Sequence, residues 1–329
     1  MIITRTPFRL PLGGGGTDLP RYYEKYKGFL ITATIDKYMY ININQPALVN
    51  KIKVNYTKTE IVDEPDELKH ELVRECLKLI GIGAPIEIHS MADLSGGTGL
   101  GSSSTYTVGL LNGLNVIKKK RLSTKELAEL ACKVEIELIG KPVGKQDQYA
   151  AAFGGIIVME VEENGNVTVI PLNLHSEVIR EMENSLMMFY THIARDANKI
   201  LSEQSKKAQI DDSTVIKCMH QIKEIGKKSY DAIMNGDFTY LGKLLHEHWN
   251  VKKHISDKMS NSKINQWYDI AMNNGALGGK IMGAGGGGFF LFCVENGKRK
   301  KIMAALENAG LRYMDFRFDF EGSKVISNF

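Results

Sequence analysis

From residue 29 to 44 the chain reads FLITATIDKYMYININ. β-Branched and aromatic side chains dominate, and polar and apolar positions alternate towards the end, which predicts a strand. IKVNY at 52–56 predicts an antiparallel companion. The period then changes. Leu68, Leu72, Cys76, Leu77 and Ile80 recur at helical spacing within 65–80. PIEIHS at 85–90 predicts a strand that runs into a glycine- and hydroxyl-rich stretch. Beyond that stretch, Thr107, Leu110, Leu111, Leu114 and Ile117 predict a second helix. Ser123 with Glu126 forms a capping box for a third. Its apolar stripe is Leu127, Leu130, Ala131, Val134 and Leu138, and Gly140 suits its C′ position. GGIIVMEV at 154–161 predicts another strand.

Around 172–184 the chain turns polar, which suggests a hinge and a division into residues 1–178 and 179–329. LMMFYT then predicts a strand, and helices are expected near 195–209, 214–234, 238–250 and 262–273. GGFFLFCV at 287–294 is a strand, KRKKIMAALENAG a helix and YMDFRFDF a final strand. Helices mixed with irregularly spaced strands argue for an α+β fold over a regular βαβ winding.

Composition narrows the function classes. With 43% hydrophobic and 24% charged residues, the 329-residue chain has ordinary globular material for two domains. Its net charge of +4 gives no reason to expect nucleic acid, and KKKR and KRKK read as solvated turns or helix ends. Four scattered cysteines without a CxxC pair point to neither zinc nor a disulfide framework. No apolar run approaches the ~18 residues of a membrane span, and MIITRTPFRL lacks a leader pattern, so a cytoplasmic location without membrane contact is expected.

Chemistry concentrates in three glycine loops. SGGTGLGSSST at 95–105 combines Gly96, Gly97, Gly99 and Gly101 with Ser102, Ser103, Ser104 and Thr105 at a helix start. Small residues let backbone N–H groups converge on phosphate, and the helix end adds positive potential. No Lys follows as a Walker A loop requires, and the loop is not a GxGxxG fingerprint. GAGGGG at 283–288 contains GxGxxG, but a strand follows where a helix is required, so a tight turn for close approach is the reading. In LGGGGTD, Asp18 follows a flexible turn and could accept from sugar hydroxyls or act as an ordinary turn aspartate. In GKPVGKQDQY, Asp147 occupies a polar loop near Lys141 and Lys145 in sequence, a setting that keeps a carboxylate ionised and able to take a hydroxyl proton. Glu135 could join a loop serine on Mg²⁺, or lie on a solvated helix face.

Together these stretches resemble the GHMP small-molecule kinases. TPFRLPLGGGGTD, SGGTGLGSSST and KIMGAGGGGFF are similar to that family's three motifs and occur in its order. GGGGTDLP is most similar to the form found in D-glycero-D-manno-heptose 7-phosphate kinases and related fucokinases. The resemblance implies an N-terminal domain like ribosomal protein S5 domain 2 and a ferredoxin-like C-terminal domain, with the active site between them. It implies ATP and Mg²⁺ as cofactors. Gly96, Gly97, Gly99, Leu100, Gly101, Ser102, Ser103 and Ser104 would carry the ATP phosphates. Asp147 would be the base and Arg9 its cation, with Ser103 and Glu135 on the metal. The SSST run, where relatives have SSA, leaves Ser104 open as the alternative metal serine. Gly14, Gly15, Gly16, Thr17, Asp18, Gly285 and Gly286 would surround the sugar. Arg195 and Lys199, following a strand at a helix start, would hold a phosphate already on the substrate. The expected partners are ATP and a sugar phosphate, acting on a monomer or homodimer. A sugar sensor without catalysis is the competing class, which the matches at Asp147, Glu135 and Arg9 argue against.

Overall fold

The computed structural model describes residues 1–193, 213–255 and 259–328. Two sheets organise them. The larger has the order β12 (Lys324–Asn328), β1 (Ile2–Gly13), β2 (Gly28–Asn44), β5 (Ile86–Ala92), β3 (Ile52–Asn55) and β4 (Thr59–Val62). β6 (Ile156–Val161) joins the first half of β2, where β5 does not reach, and β7 (Val167–Pro171) extends it. The smaller sheet is antiparallel, with the order β11 (Arg312–Met314), β8 (Leu186–Tyr190), β10 (Phe289–Val294) and β9 (Ala276–Ile281). The two-domain α+β expectation holds.

β1 has no counterpart in the periodicity reading. It is buried from Thr6 to Gly13, so apolar and polar positions do not alternate. Phe8, Leu10 and Leu12 are wholly buried, each contributing about 1.5–3 kcal/mol of transfer free energy. On this sheet lies α3 (Ser102–Ile117), whose Gly109 carbonyl accepts from Thr4 Oγ1 at 3.0 Å. α4 (Thr124–Cys132) begins on the expected capping box. It widens into a π-helical turn, Lys133–Leu138, before Gly140 at φ +75°. That widening re-aims the last side chains: Leu138 is exposed and Glu135 fully buried.

Other expectations are corrected. Within 65–80 only Glu71–Ile80 is α-helix (α2), because Pro65–Glu67 makes a separate 3₁₀ turn. The polar 172–184 stretch is largely helical (Ser176–Ser185), with Met182 holding it to the core. The final segment does not form one strand across 313–320. It stops at Met314, bridges Ile35 through Phe318, and returns as β12 beside β1. Helices Ser213–Met234, Phe238–Lys253 and Ser262–Asn273 fall where expected.

Candidate active site

The loop after β1 and the helix Gln146–Phe153 (α5) line a cleft, which residues of β9 and the turn after it close from the smaller sheet; the 95–105 loop lies beside it, against Arg9. Arg9 is the hub. Its backbone N–H donates to Leu100 O at 3.2 Å and its Nη1 to Gly99 O at 2.6 Å. Nε and Nη2 grip Asp147 through both carboxylate oxygens, at 2.7 and 3.0 Å. A bidentate guanidinium–carboxylate pair fixes both position and direction. One buried arginine therefore ties the glycine loop to the acid. Gly101 makes this possible: a Cβ there would lie 3.1 Å from both Arg9 Cγ and Asp147 Oδ2, at φ +80°.

Asp147 is not in a loop. It occupies the first turn of α5, where the helix end favours a negative charge. Its cation is Arg9 and not the lysines near it in sequence. Lys145 instead joins Glu129 at 3.2 Å and Gly165 O at 2.7 Å. Lys141 donates to Ser103 Oγ at 2.6 Å and to Glu135 Oε2 at 3.2 Å.

Glu135 is not a solvated surface residue. The π turn carries it inward, where Ser103 Oγ donates to its Oε2 at 2.6 Å and Gln148 Nε2 to its Oε1 at 3.3 Å. Ser103, and not Ser104, is the serine brought to Glu135. A hydroxyl and a carboxylate suit a hard, oxygen-seeking cation, and an ammonium already sits against both. Mg²⁺ usually takes only one or two protein oxygens alongside substrate phosphate and water, so the pair fits that metal. Among the described residues no group of three metal-binding side chains occurs.

Asp18 is 4% exposed. Its oxygens accept from Gln146 N at 2.8 Å and Gly16 N at 3.1 Å. Burial, despite the hydrogen bonds, pushes its carboxyl above the usual aspartate range. Gly15, Gly16 and Asp18 line the cleft, whereas Thr17 is fully buried and ties Gly14 O to Phe29 O through its hydroxyl. In the third loop, Gly283 and Ala284 line the cleft, and Gly286 N donates to Met259 O at 2.9 Å. A Cβ on Gly285 would meet Met259 Sδ at 2.6 Å. At Gly288 a Cβ would stand 2.2 Å from Thr98 O, so this loop lies directly against the backbone of the 95–105 loop. In the 95–105 loop, Gly96 is exposed and Gly97 half-buried. Ser102 and Ser103 open α3, whose first amides have no carbonyl a turn behind them. Arg195 and Lys199 lie outside the described residues.

The sequence reading left Gln146, Gln148, His248, Lys252 and Lys280 without a role, although all except Gln148 line the cleft. Lys280 was the most visible signal, a lone charge in the apolar run GALGGKIMG.

A glycine- and serine-rich loop at a helix start and a serine–glutamate oxygen pair lie beside a cleft lined by an arginine-held carboxylate, an arrangement suited to phosphoryl transfer to a small molecule. Residues 69–155 match the GHMP kinases N terminal domain and residues 229–311 the GHMP kinases C terminal domain. The D-glycero-alpha-D-manno-heptose 7-phosphate kinase of Campylobacter jejuni is 34% identical, over 98% of both chains. A solved D-glycero-D-manno-heptose 1-phosphate kinase from Bacteroides thetaiotaomicron superposes with a TM-score of 0.83 at 27% identity, covering 100% of each chain. A Lactococcus lactis galactokinase complexed with galactose shares the fold, with a TM-score of 0.78 at 19% identity over 98% of this chain and 94% of that one. The chain belongs to the GHMP kinase family and is a sugar kinase. Among the described residues no helix is long and apolar enough to cross a membrane.

Proposed function

We propose that the enzyme transfers the γ-phosphoryl group of ATP to O1 of D-glycero-D-manno-heptose 7-phosphate. The products are the 1,7-bisphosphate and ADP, and the step belongs to the making of nucleotide-activated heptose. The observation that carries the reading is the Arg9–Asp147 pair, held by Gly99 O at the mouth of the phosphate loop. It joins an acid suited to a hydroxyl proton to the place where phosphate would lie. Similarity to the Campylobacter and Bacteroides heptose kinases supports the choice of sugar.

In this reading Asp147 orients the anomeric hydroxyl and accepts its proton as the new O1–P bond forms. The bond from the γ-phosphorus to the β,γ-bridging oxygen breaks in line. The amides opening α3 and the Arg9 guanidinium face the charge that spreads over the transferring group. Ser103 and Glu135 would hold Mg²⁺, which when bound neutralises phosphate charge. For it to enter, the Lys141 ammonium must give up Glu135 Oε2. Asp18 accepts from sugar hydroxyls, in a position set by two backbone amides. Arg195 and Lys199 are assigned, on sequence alone, to the far phosphate. The reading also carries a domain division near residue 178, with β12 returning to the first sheet, and a cytoplasmic monomer or homodimer.

The test is an acceptor screen with ATP and Mg²⁺, following ADP release. The panel is D-glycero-D-manno-heptose 7-phosphate, the free heptose, fucose and galactose. Turnover should be fastest with the 7-phosphate, and NMR of its product should place the new phosphate on O1. Faster turnover of fucose would replace this reading with a fucokinase. Equal turnover of the free heptose would remove the far-phosphate assignment.

A further inference from the structure

One wall of the cleft carries polar side chains that the phosphoryl-transfer reading does not use. His248, on the helix Phe238–Lys253, is 2% exposed and lines the cleft. Its Nδ1 lies 3.2 Å from Nζ of Lys280 on β9, and that amine also donates to Leu12 O at 3.2 Å. The other ring nitrogen, Nε2, has no hydrogen-bond partner. Gln146 is 6% exposed and lines the same cleft, and its Nε2 is likewise without a partner. Buried polar atoms are nearly always satisfied. Two left open in one ligand cleft, beside the hydroxyl acceptor Asp18, mark places for ligand atoms.

The polarity of the His248 atom follows from its neighbour. Burial, then the charges of Lys280 and Lys252, hold the His248 imidazole well below its ordinary range, so the ring is neutral with one N–H. Leu12 O can only accept. Burial also holds the Lys280 amine well below its ordinary range; charged or neutral, it has hydrogens for both Leu12 O and Nδ1, and a bond donated to Nδ1 places the ring proton on Nε2.

We propose that His248 and Gln146 are specificity-determining residues that donate hydrogen bonds to oxygens of the sugar, and that Lys280 is the positioning residue fixing the His248 tautomer. Asp18 then takes hydroxyl protons while His248 and Gln146 supply them, a mixed set suited to a polyhydroxylated ligand. The inference rests on the sugar-kinase reading of the cleft.

The experiment joins a spectroscopic and a kinetic arm. In ¹⁵N-histidine-labelled enzyme, long-range ¹H–¹⁵N spectra, assigned by loss of the peak in His248→Phe, should show His248 protonated on Nε2. Adding D-glycero-D-manno-heptose 7-phosphate without nucleotide should shift that nitrogen. His248→Phe should raise the sugar KM about tenfold or more, the scale of a lost buried hydrogen bond, with kcat and the ATP KM little changed. His248→Gln, which keeps an N–H donor, should recover part of this. Lys280→Met should yield a tautomer mixture, and adding it to His248→Phe should raise the sugar KM no further. A proton on Nδ1 in the wild type would overturn the proposal, and so would an unchanged sugar KM in His248→Phe. If His248→Phe does not fold, the wild-type tautomer and its response to sugar decide alone, with His248→Gln used for assignment. A wild type that phosphorylates no sugar would sink the sugar reading itself, a result distinct from either.

Discussion

Two aspartates of one cleft are held in opposite ways. Asp147 is gripped by a guanidinium, and its side chain keeps 27% exposure. Asp18 is closed in and held by the backbone amides of Gly16 and Gln146. A guanidinium neutralises charge and fixes a direction, yet leaves a carboxylate face open to a reactant. Backbone amides fix position at the expense of burying a charge, and burial pushes the Asp18 carboxyl upward. The proposed mechanism gives reaction to the first arrangement and recognition to the second. Glu135 is a third case, buried against the Lys141 ammonium.

The sharpest way to break this contrast is Asp147→Asn. It keeps the shape and loses the proton acceptor, so kcat should fall by about a hundredfold or more while ATP binding, measured by calorimetry, persists. Turnover near that of the wild type would leave the arginine pair purely structural.

Asp18→Asn should act on the sugar. The expected rise in sugar KM is about ten- to hundredfold, the range of a lost charged hydrogen bond, with a smaller change in kcat. Because Asp18 also accepts from the first amide of α5, some melting temperature should be lost too. An effect on kcat alone would merge the two roles. Arg195→Ala should raise the sugar KM about tenfold for the 7-phosphate and leave the ATP KM in place.

The metal pair offers a gentler test. Glu135→Gln should raise the Mg²⁺ concentration giving half-maximal rate. Lys141→Met leaves a buried carboxylate without its cation. With divalent metal chelated, that variant should melt several degrees below the wild type, and Mg²⁺ alone should restore more of its stability than it adds to the wild type. Equal responses would show that Lys141 and the metal do not share Glu135.

The smallest expected effect is on pH dependence. Asp18 has a folded pKa above its ordinary value of 3.8. The folded chain therefore holds this proton more tightly than the unfolded one. Its contribution to stability is complete below the unfolded pKa and is lost as pH rises through the folded one. The melting-temperature margin of wild type over Asp18→Asn should thus shrink as pH rises above about 4. A margin that grows over that range would mean Asp18 is stabilised as the anion.

The local pattern along the chain determined much of this protein. Helices with one apolar stripe, the Ser123–Glu126 cap, the left-handed Gly140 and the strands 29–44 and 85–90 were legible, because each is fixed by residues within a few positions of one another. The glycine loops were legible too, since close backbone approach excludes side chains wherever it occurs. Tertiary structure decided the rest. β1, buried on both sides, lacks the alternation that marks a strand, and β12 becomes a strand only by finding β1 at the far end of the chain. Glu135 reads as a surface glutamate until the π turn swings it inward. Which cation meets which carboxylate was also beyond the sequence: Lys145 lies two positions from Asp147 yet pairs with Glu129, whereas Arg9 arrives from 138 positions away. Sequence neighbours at a helix start point in different directions, and only the packing of β1 against α5 brings the guanidinium to the acid.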